Sequence, residues 1–155
     1  MVLSLEDFKK EFANSKKDLD FLLNKDNRNY LKDFIGVDAT IMLQIIVVKA
    51  EQLANTEQNF YRSIDGAIAL PVKEMKEVAE LSEKRQKDAL GVLEETGLIQ
   101  VDYQRDDYRE EGFRTKRVVA INFDKIAKFA DNFVAYLTVI SNKYKYRYDF
   151  KKFLK

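Results

Sequence analysis

The sequence predicts an α+β fold that is predominantly helical and contains one small sheet. Several segments carry apolar residues three and four positions apart, which is the spacing of one helix face. Residues 99–104 and 116–123 instead show the alternation that is typical of strands. Between these patterns, residues 82–99 predict a helix with both ends marked that continues directly into a strand. A chain of 155 residues accommodates one such domain with additional elements.

Two helices are expected before residue 37. Ser4 to Leu23 is rich in helix-forming residues, and Ser4 with Asp7 forms a capping pattern at its start. The polar stretch Lys25 to Asn29 predicts a turn. A short second helix then follows from Tyr30 to Ile35 and ends at Gly36.

A third helix is expected to be capped by Asp38 and to continue to Ala54. The β-branched residues Ile45 to Val48 would suit a strand, but the apolar run continues into helix-forming residues. The length of the run therefore favours a buried helix.

Asp65 and Gly66 suit a type I′ turn, which predicts a small hairpin between residues 60–64 and 67–70. Pro71 is well placed at the first position of the next helix. The residues of this helix that are expected to face inward are Val72, Met75 and Ala79.

The helix that begins after Ser82 is the most informative element. The Ser82 hydroxyl is suited to accept from an amide of the first turn, and Gly97 is suited to end the helix in a left-handed conformation. Leu98 falls where a Schellman motif packs an apolar residue against Leu93. One face of the helix is apolar, and it is formed by Ala89, Leu90 and Leu93.

A strand follows, with Ile99, Val101 and Tyr103 on one face, and residues 116–123 are expected to be its partner. The loop between these strands runs from Arg105 to Arg114.

The final helix is expected to be capped by Asn122 or Asp124. Its sustained apolar stripe predicts either that the helix covers the domain or that it pairs with a second copy in a homodimer. The stripe consists of Ile126, Phe129, Ala130, Phe133, Leu137 and Ile140.

The junction of the marked helix and its strand resembles that of the winged helix-turn-helix proteins of bacterial phages, plasmids and repressors. In that family, leucine and serine precede the recognition helix and the string ALxxLEExGLI leads into the wing. The residues that match here are Leu81, Ser82, Ala89, Leu90, Leu93, Glu94, Glu95, Gly97, Leu98 and Ile99. Gln86 stands where the family usually has an apolar residue. The resemblance covers about residues 38–123. It leaves a helical extension over 1–37, and a helix with a basic aromatic tail over 124–155.

The resemblance implies binding of double-stranded DNA. Lys84, Arg85 and Lys87 near the start of the helix are suited to contact base edges in the major groove, and the alternative is a solvated helix face. Ser82 at the cap is also expected to belong to the DNA-binding residues. Basic residues of the wing are expected to contact phosphates, although interleaved acidic residues leave a self-paired loop as the alternative. These wing residues are Arg105, Arg109, Arg114, Lys116 and Arg117.

Charge is distributed unevenly along the chain. Residues 38–123 hold 12 basic and 16 acidic side chains, a balance of −4, whereas residues 143–155 hold 6 basic and 1 acidic, a balance of +5. Phosphate contacts supply most non-specific DNA affinity. Three arrangements therefore remain open: basic groups cluster on one face of an acidic body, the tail supplies the attraction, or the partner is not DNA.

In the tail, Lys143, Lys145 and Arg147 alternate with tyrosines. This pattern suits a nucleic-acid strand, through phosphate attraction and base stacking. The alternative is a terminal element that packs its aromatic rings on the core and leaves its lysines in water.

The composition argues against an enzyme. The chain has no cysteine and no histidine, which excludes the common nucleophilic dyads and zinc sites. It also has no glycine-rich phosphate loop, so we expect neither a cofactor nor a metal. The absence of a signal segment and of a long apolar run predicts a cytoplasmic protein without a membrane segment.

The expected function is noncatalytic binding of duplex DNA in phage or plasmid replication or regulation, with phage or host replication proteins as further partners. Replication is favoured because the helix from Asp38 to Ala54 and the following FYRS segment resemble small phage replication proteins. The alternative is a winged-helix protein-interaction module, an adaptor or inhibitor whose acidic surface binds a host protein.

Overall fold

The computed structural model describes residues 3–55, 67–106 and 114–148. Their strands form one antiparallel sheet in the order β1-β3-β2, and the other elements are helices, which confirms the predicted α+β class. The elements are α1 (Leu5–Leu23), α2 (Lys25–Ile35), α3 (Val37–Ala54), β1 (Ile68–Ala69), α4 (Val72–Val78), α5 (Glu83–Glu95), β2 (Ile99–Asp106), β3 (Arg114–Ile121) and α6 (Phe123–Tyr148).

The two N-terminal helices each begin at a side-chain cap. The Ser4 hydroxyl accepts from the amide of Asp7 at 3.2 Å, so the predicted start of α1 is confirmed. The predicted turn over residues 25–29 is wrong. Asn24 acts as an N-cap and accepts from the amide of Asn27 at 2.8 Å, so α2 begins directly after it.

Helix α3 begins two residues earlier than a cap at Asp38 implies. The N-cap is Gly36, whose carbonyl accepts from the amide of Thr40 at 3.1 Å and from its hydroxyl at 2.8 Å. The φ of Gly36 is 97°, a value that glycine adopts readily and at which a residue with a side chain is strained. Helix α3 packs against α1, α2, α5 and β1, which confirms a helix rather than a strand over residues 45–48.

The sheet is built around β3. The short strand β1 pairs with it through Ile68 and Val119, while the proposed hairpin turn at Asp65 and Gly66 lies outside the described residues. Strands β2 and β3 pair from Ile99↔Ile121 to Asp106↔Arg114, so both extend into the predicted loop.

The expected end of the last strand at Phe123 is wrong, because Phe123 begins α6. Its ring packs edge-on against Phe8 of α1 at a centroid distance of 5.3 Å. Asn122, one of the two predicted caps, directly precedes α6, and its carbonyl accepts from the amide of Lys125 at 2.9 Å. Its side-chain amide ties this corner to the end of α5 by donating to the carbonyl of Gly97 at 2.7 Å.

Helix α6 covers the N-terminal helices. The ring of Phe34 lies 5.7 Å from that of Phe129, 5.8 Å from that of Phe133 and 4.8 Å from that of Tyr136, and the Phe21 ring lies 6.2 Å from that of Phe133. The predicted stripe therefore covers the domain along its first half. The described buried side chains form one core from Phe8 to Phe133, so the extensions share the core of the central segment.

A tight turn joins α4 to α5. Pro71 occupies the N-cap of α4 rather than its first turn, and Met75 is the buried residue of this helix. In the turn, Glu80 adopts a φ of 56°, the only positive value among the described residues that are not glycine. A side chain in this left-handed conformation is strained, whereas glycine is not.

We therefore expect Glu80→Gly to raise the free energy of unfolding by about 0.5–1 kcal/mol, because it removes this strain. Glu77→Gly is the matched control, since Glu77 lies in α4 and glycine is unfavourable inside a helix. Urea denaturation of both variants should show shifts of opposite sign. Equal losses of stability would contradict strain at Glu80.

Candidate nucleic-acid interface

Helix α5 has the two marked ends that the sequence predicts. The Ser82 hydroxyl accepts from the amide of Arg85 at 3.3 Å. At the other end Gly97 adopts a φ of 81°, and its amide donates to the carbonyl of Glu94 at 2.9 Å. The Thr96 hydroxyl donates to the carbonyl of Leu93 at 2.7 Å and accepts from the amide of Leu98 at 3.4 Å. The Thr96 hydroxyl therefore links Leu93 and Leu98, the two residues that the predicted Schellman motif brings together.

The two faces of α5 differ in chemistry. Its inner face buries Ala89, Leu90 and Leu93 as predicted, together with Gln86. Its outer face exposes Lys84 and Lys87 in the first two turns together with the carboxylates of Glu83 and Asp88, and it exposes Glu94 and Glu95 in the last turn. The exposed surface of the helix therefore carries charges of both signs near its start and only negative charge near its end.

Gly91 lies in the middle of α5. A Cβ atom built there would meet no atom within 4 Å, so packing does not require glycine at this position. The outer face of α5 is open at this point.

Arg85 is paired within the chain. Its Nε and Nη2 atoms donate to the two carboxylate oxygens of Asp38 in α3, at 2.9 Å and 2.7 Å. These hydrogen bonds hold the pKa of Asp38 below its usual value and raise the pKa of Arg85. The Arg85 side chain remains 56% exposed, so it stays at the surface while its charge is neutralised.

Arg117 is not a wing contact. The sequence predicts an exposed cation, but the structure buries this residue to 5% relative exposure. Its Nη2 atom donates to Oε1 of Gln86 at 2.7 Å, and its Nε atom donates to the carbonyl of Leu70 at 2.8 Å. Burial lowers the pKa of the Arg117 guanidinium.

Gln86 completes this network. Its side-chain amide donates to the carbonyl of Leu81 at 2.8 Å and to that of Val72 at 3.1 Å. The Nε2 atom of Gln86 therefore donates to backbone carbonyls of α4 and of the turn, while its Oε1 atom accepts from Arg117. Gln86 and Arg117 together link α4, α5, β1 and β3 through hydrogen bonds.

The other predicted DNA contacts are only partly described. Lys116 is exposed on β3 and lies opposite Gln104 of β2. The backbones of Arg105 and Arg114 belong to the paired strands, but their side chains lie outside the described part of the structure, as does Arg109. Lys143, Lys145 and Arg147 belong to the last turns of α6, and their side chains also lie outside the described part.

Residues 3–55, 67–106 and 114–148 contain neither a metal cluster nor a membrane span. No group of three or more acidic side chains there is arranged to hold a metal ion. Within the same ranges, no helix combines the length and the apolar character needed to cross a membrane.

Comparison with known proteins does not assign a family. No protein-family model matches the sequence, and no curated protein matches it significantly.

The contact between Gln86 and Arg117 should dominate the stability of this region. We expect Gln86→Leu and Arg117→Met each to destabilise the protein by about 2–4 kcal/mol, because each leaves a buried polar group without its partner. The double variant should lose less than the sum of the single losses, by about 1–3 kcal/mol. Gln100→Leu, at an exposed position of β2, is the control for the glutamine substitution.

Urea denaturation of these variants measures the coupling. Additive losses in the double variant would show that the two side chains do not depend on each other.

The pair of Asp38 and Arg85 predicts a dependence of stability on pH. Because the pKa of Asp38 is lowered in the folded protein, its stabilising effect is present above the usual value of 3.8 and is lost as the pH falls through the folded value. Asp38→Asn should therefore lower the Tm at neutral pH, and the difference from the unsubstituted protein should disappear in acid.

The matched control is Asp20→Asn, at an exposed position of α1. Thermal melts of the three proteins between about pH 2 and pH 7 test the expectation. A difference in Tm that stays constant over this range would contradict it.

Proposed function

We propose that this protein is a noncatalytic winged-helix protein that binds duplex DNA through the first two turns of α5. The observation that carries the proposal is the order of elements from α3 to β3. A helix, a short strand, two helices joined by a tight turn and a β hairpin follow one another, and β3 lies between β1 and β2. This is the arrangement that the sequence resemblance implies. A role in phage or plasmid replication or regulation is proposed from that resemblance.

The start of α5 suits an approach to DNA. The amides at a helix N-terminus carry partial positive charge, which favours phosphate nearby. Lys84 and Lys87 are exposed beside this end, and both can donate to base edges or to phosphates. Glu83 and Asp88 are also exposed at this end, but the last turn exposes only the carboxylates of Glu94 and Glu95, which repel phosphates. The duplex therefore meets the helix at its start.

Arg85 takes a different role from the one that the sequence suggests. To donate to a guanine, its guanidinium must exchange the two oxygens of Asp38 for the O6 and N7 atoms of the base. The gain from such a contact is reduced because the ion pair with Asp38 must break. We therefore assign most of the DNA affinity to Lys84 and Lys87. Arg85 contributes on DNA sequences that place a guanine within its reach.

The runner-up is a winged-helix protein-interaction module. It is supported by the acidic end of α5 and by Tyr103 on β2, whose side chain is 56% exposed. Tyrosine is enriched at protein interfaces, and an acidic surface is suited to a basic protein partner.

The two functions are separated by measuring DNA affinity. We expect the double variant Lys84→Ala/Lys87→Ala to bind a duplex selected from a random pool at least about tenfold more weakly, since each base contact is worth about 1 kcal/mol or more. The slope of log K against log salt should flatten by about 0.9 for each phosphate that the variant no longer neutralises. Fluorescence anisotropy titrations over a range of salt concentrations give both quantities.

The matched control is Lys10→Ala/Lys17→Ala, which removes the same charge from exposed positions of α1. This variant should retain its affinity for the selected duplex. Equally weakened binding by the two variants would contradict a localised interface on α5. No duplex binding by the unsubstituted protein at about 50 mM salt would defeat the proposal in favour of the protein-interaction module.

A further inference from the structure

The outer face of α3 carries apolar residues over its first three turns, although it lies at the surface. Val37 and Val48 are 53% and 54% exposed, and Ile41 between them is half-buried. Together with Gln44 they form a row with spacings of four, three and four residues. We call these four residues the α3 stripe. Val37 and Val48 lie about 16 Å apart along the helix axis, at 1.5 Å per residue.

The opposite face of α3 already belongs to the core. It buries Ala39, Met42, Leu43, Ile46 and Ala50 against the neighbouring elements. A helix that needs to bury only one face carries polar residues on the other. A helix that is apolar on both faces is typical of one that is covered on both sides. The α3 stripe is therefore expected to be covered by a partner.

The charged residues of α3 indicate the chemistry of this partner. Asp38 is paired with Arg85 at 2.7 Å, Lys49 with Glu74 at 2.7 Å, and Glu51 with Lys16 at 3.6 Å. Each pair is formed within the chain. The α3 stripe therefore offers no unneutralised charge of α3 to complement a nucleic acid or a highly charged peptide. It matches another surface that is apolar and uncharged.

The spacing indicates that the partner surface is a helix. Apolar residues that repeat at intervals of four and three form the seam along which two helices pack side by side. A second copy of α3 supplies such a seam. Gln44, the one polar member of the α3 stripe, has an amide that both donates and accepts, so it can pair with the same residue of the other copy.

We propose that two copies of this chain associate through their α3 stripes to form a homodimer. The contact differs from the pairing through α6 that the sequence suggests, because Phe129 and Phe133 of that stripe are already buried against α1 and α2. One helix pair buries less than the roughly 1,200–2,000 Å² of a standard stable interface. The dimer is therefore reversible, with a dissociation constant in the micromolar range.

The first experiment measures association without DNA, so its outcome is independent of the proposed function. Val48→Glu places a carboxylate in the α3 stripe at a position that is exposed in the single chain, and two such charges oppose dimer formation. Val139→Glu is the matched control, because Val139 is 65% exposed on α6. Sedimentation equilibrium should show dimers for the unsubstituted protein and for Val139→Glu, and at least about tenfold weaker association for Val48→Glu.

Circular dichroism spectra and thermal melts establish that both variants are folded. The proposal is overturned if the unsubstituted protein is monomeric up to about 200 µM, well above a micromolar dissociation constant. It is also overturned if Val139→Glu dissociates the dimer while Val48→Glu does not, since this result assigns the contact to α6.

The second experiment uses the absence of cysteine from the chain. Gln44→Cys introduces a single thiol at the middle of the α3 stripe, and any disulfide that forms must join two copies. Under mild oxidation it should yield covalent dimers much faster than Val139→Cys. Equal rates of crosslinking for the two variants would contradict a specific α3 contact, whether or not Val48→Glu folds.

Discussion

The orientation of α5 depends on one buried interaction, the hydrogen bond between the Arg117 guanidinium and the Gln86 side chain. A buried guanidinium without acceptors is unfavourable, so the position of Arg117 on β3 requires a polar partner on the facing helix. Gln86 provides it and at the same time donates to the carbonyl of Val72 in the first turn of α4 and to that of Leu81 after this helix. This arrangement fixes the rotation of α5 about its axis, because Gln86 must point inward. The same rotation places Lys84 and Lys87 in solvent.

Charge is organised within α5 rather than over the whole central segment. Within the acidic balance of residues 38–123, the exposed cations Lys84 and Lys87 stand beside the exposed carboxylates of Glu83 and Asp88, whereas the last turn of this helix exposes only the carboxylates of Glu94 and Glu95. The ion pair with Asp38 also neutralises the charge of Arg85, although the Arg85 side chain remains at the surface. In the function proposed above, the contact with DNA is therefore small and confined to the first two turns of α5.

The sequence predicts the elements whose signals are local. Ser4, Ser82 and Gly97 mark helix ends through contacts with residues at most four positions away, and these ends are confirmed. Strand alternation likewise places β2 and β3. The predictions that fail at Asp38 and Arg117 depend on partners 47 and 31 residues away in the chain, whose approach no local pattern reveals.

The sequence contains one signal for the buried network of Gln86 and Arg117. Glutamine at a position that the resembling family fills with apolar residues indicates a buried amide, and a buried amide requires partners. The sequence does not show which basic residue supplies the partner, because wing residues alternate between the two faces of a strand. Lys116 and Arg117 are neighbours in the chain, yet one is exposed and the other is buried.

The continuous core has a consequence for how the molecule unfolds. Because Phe8 of α1 packs on Phe123 and Phe133 packs on Phe21, the outer helices have no hydrophobic centre of their own. The described part of the chain is then one cooperative unit, and loss of the first helix exposes aromatic surface of the last. Removal of α1 or of α6 is therefore expected to unfold the whole described part rather than to release a smaller stable domain.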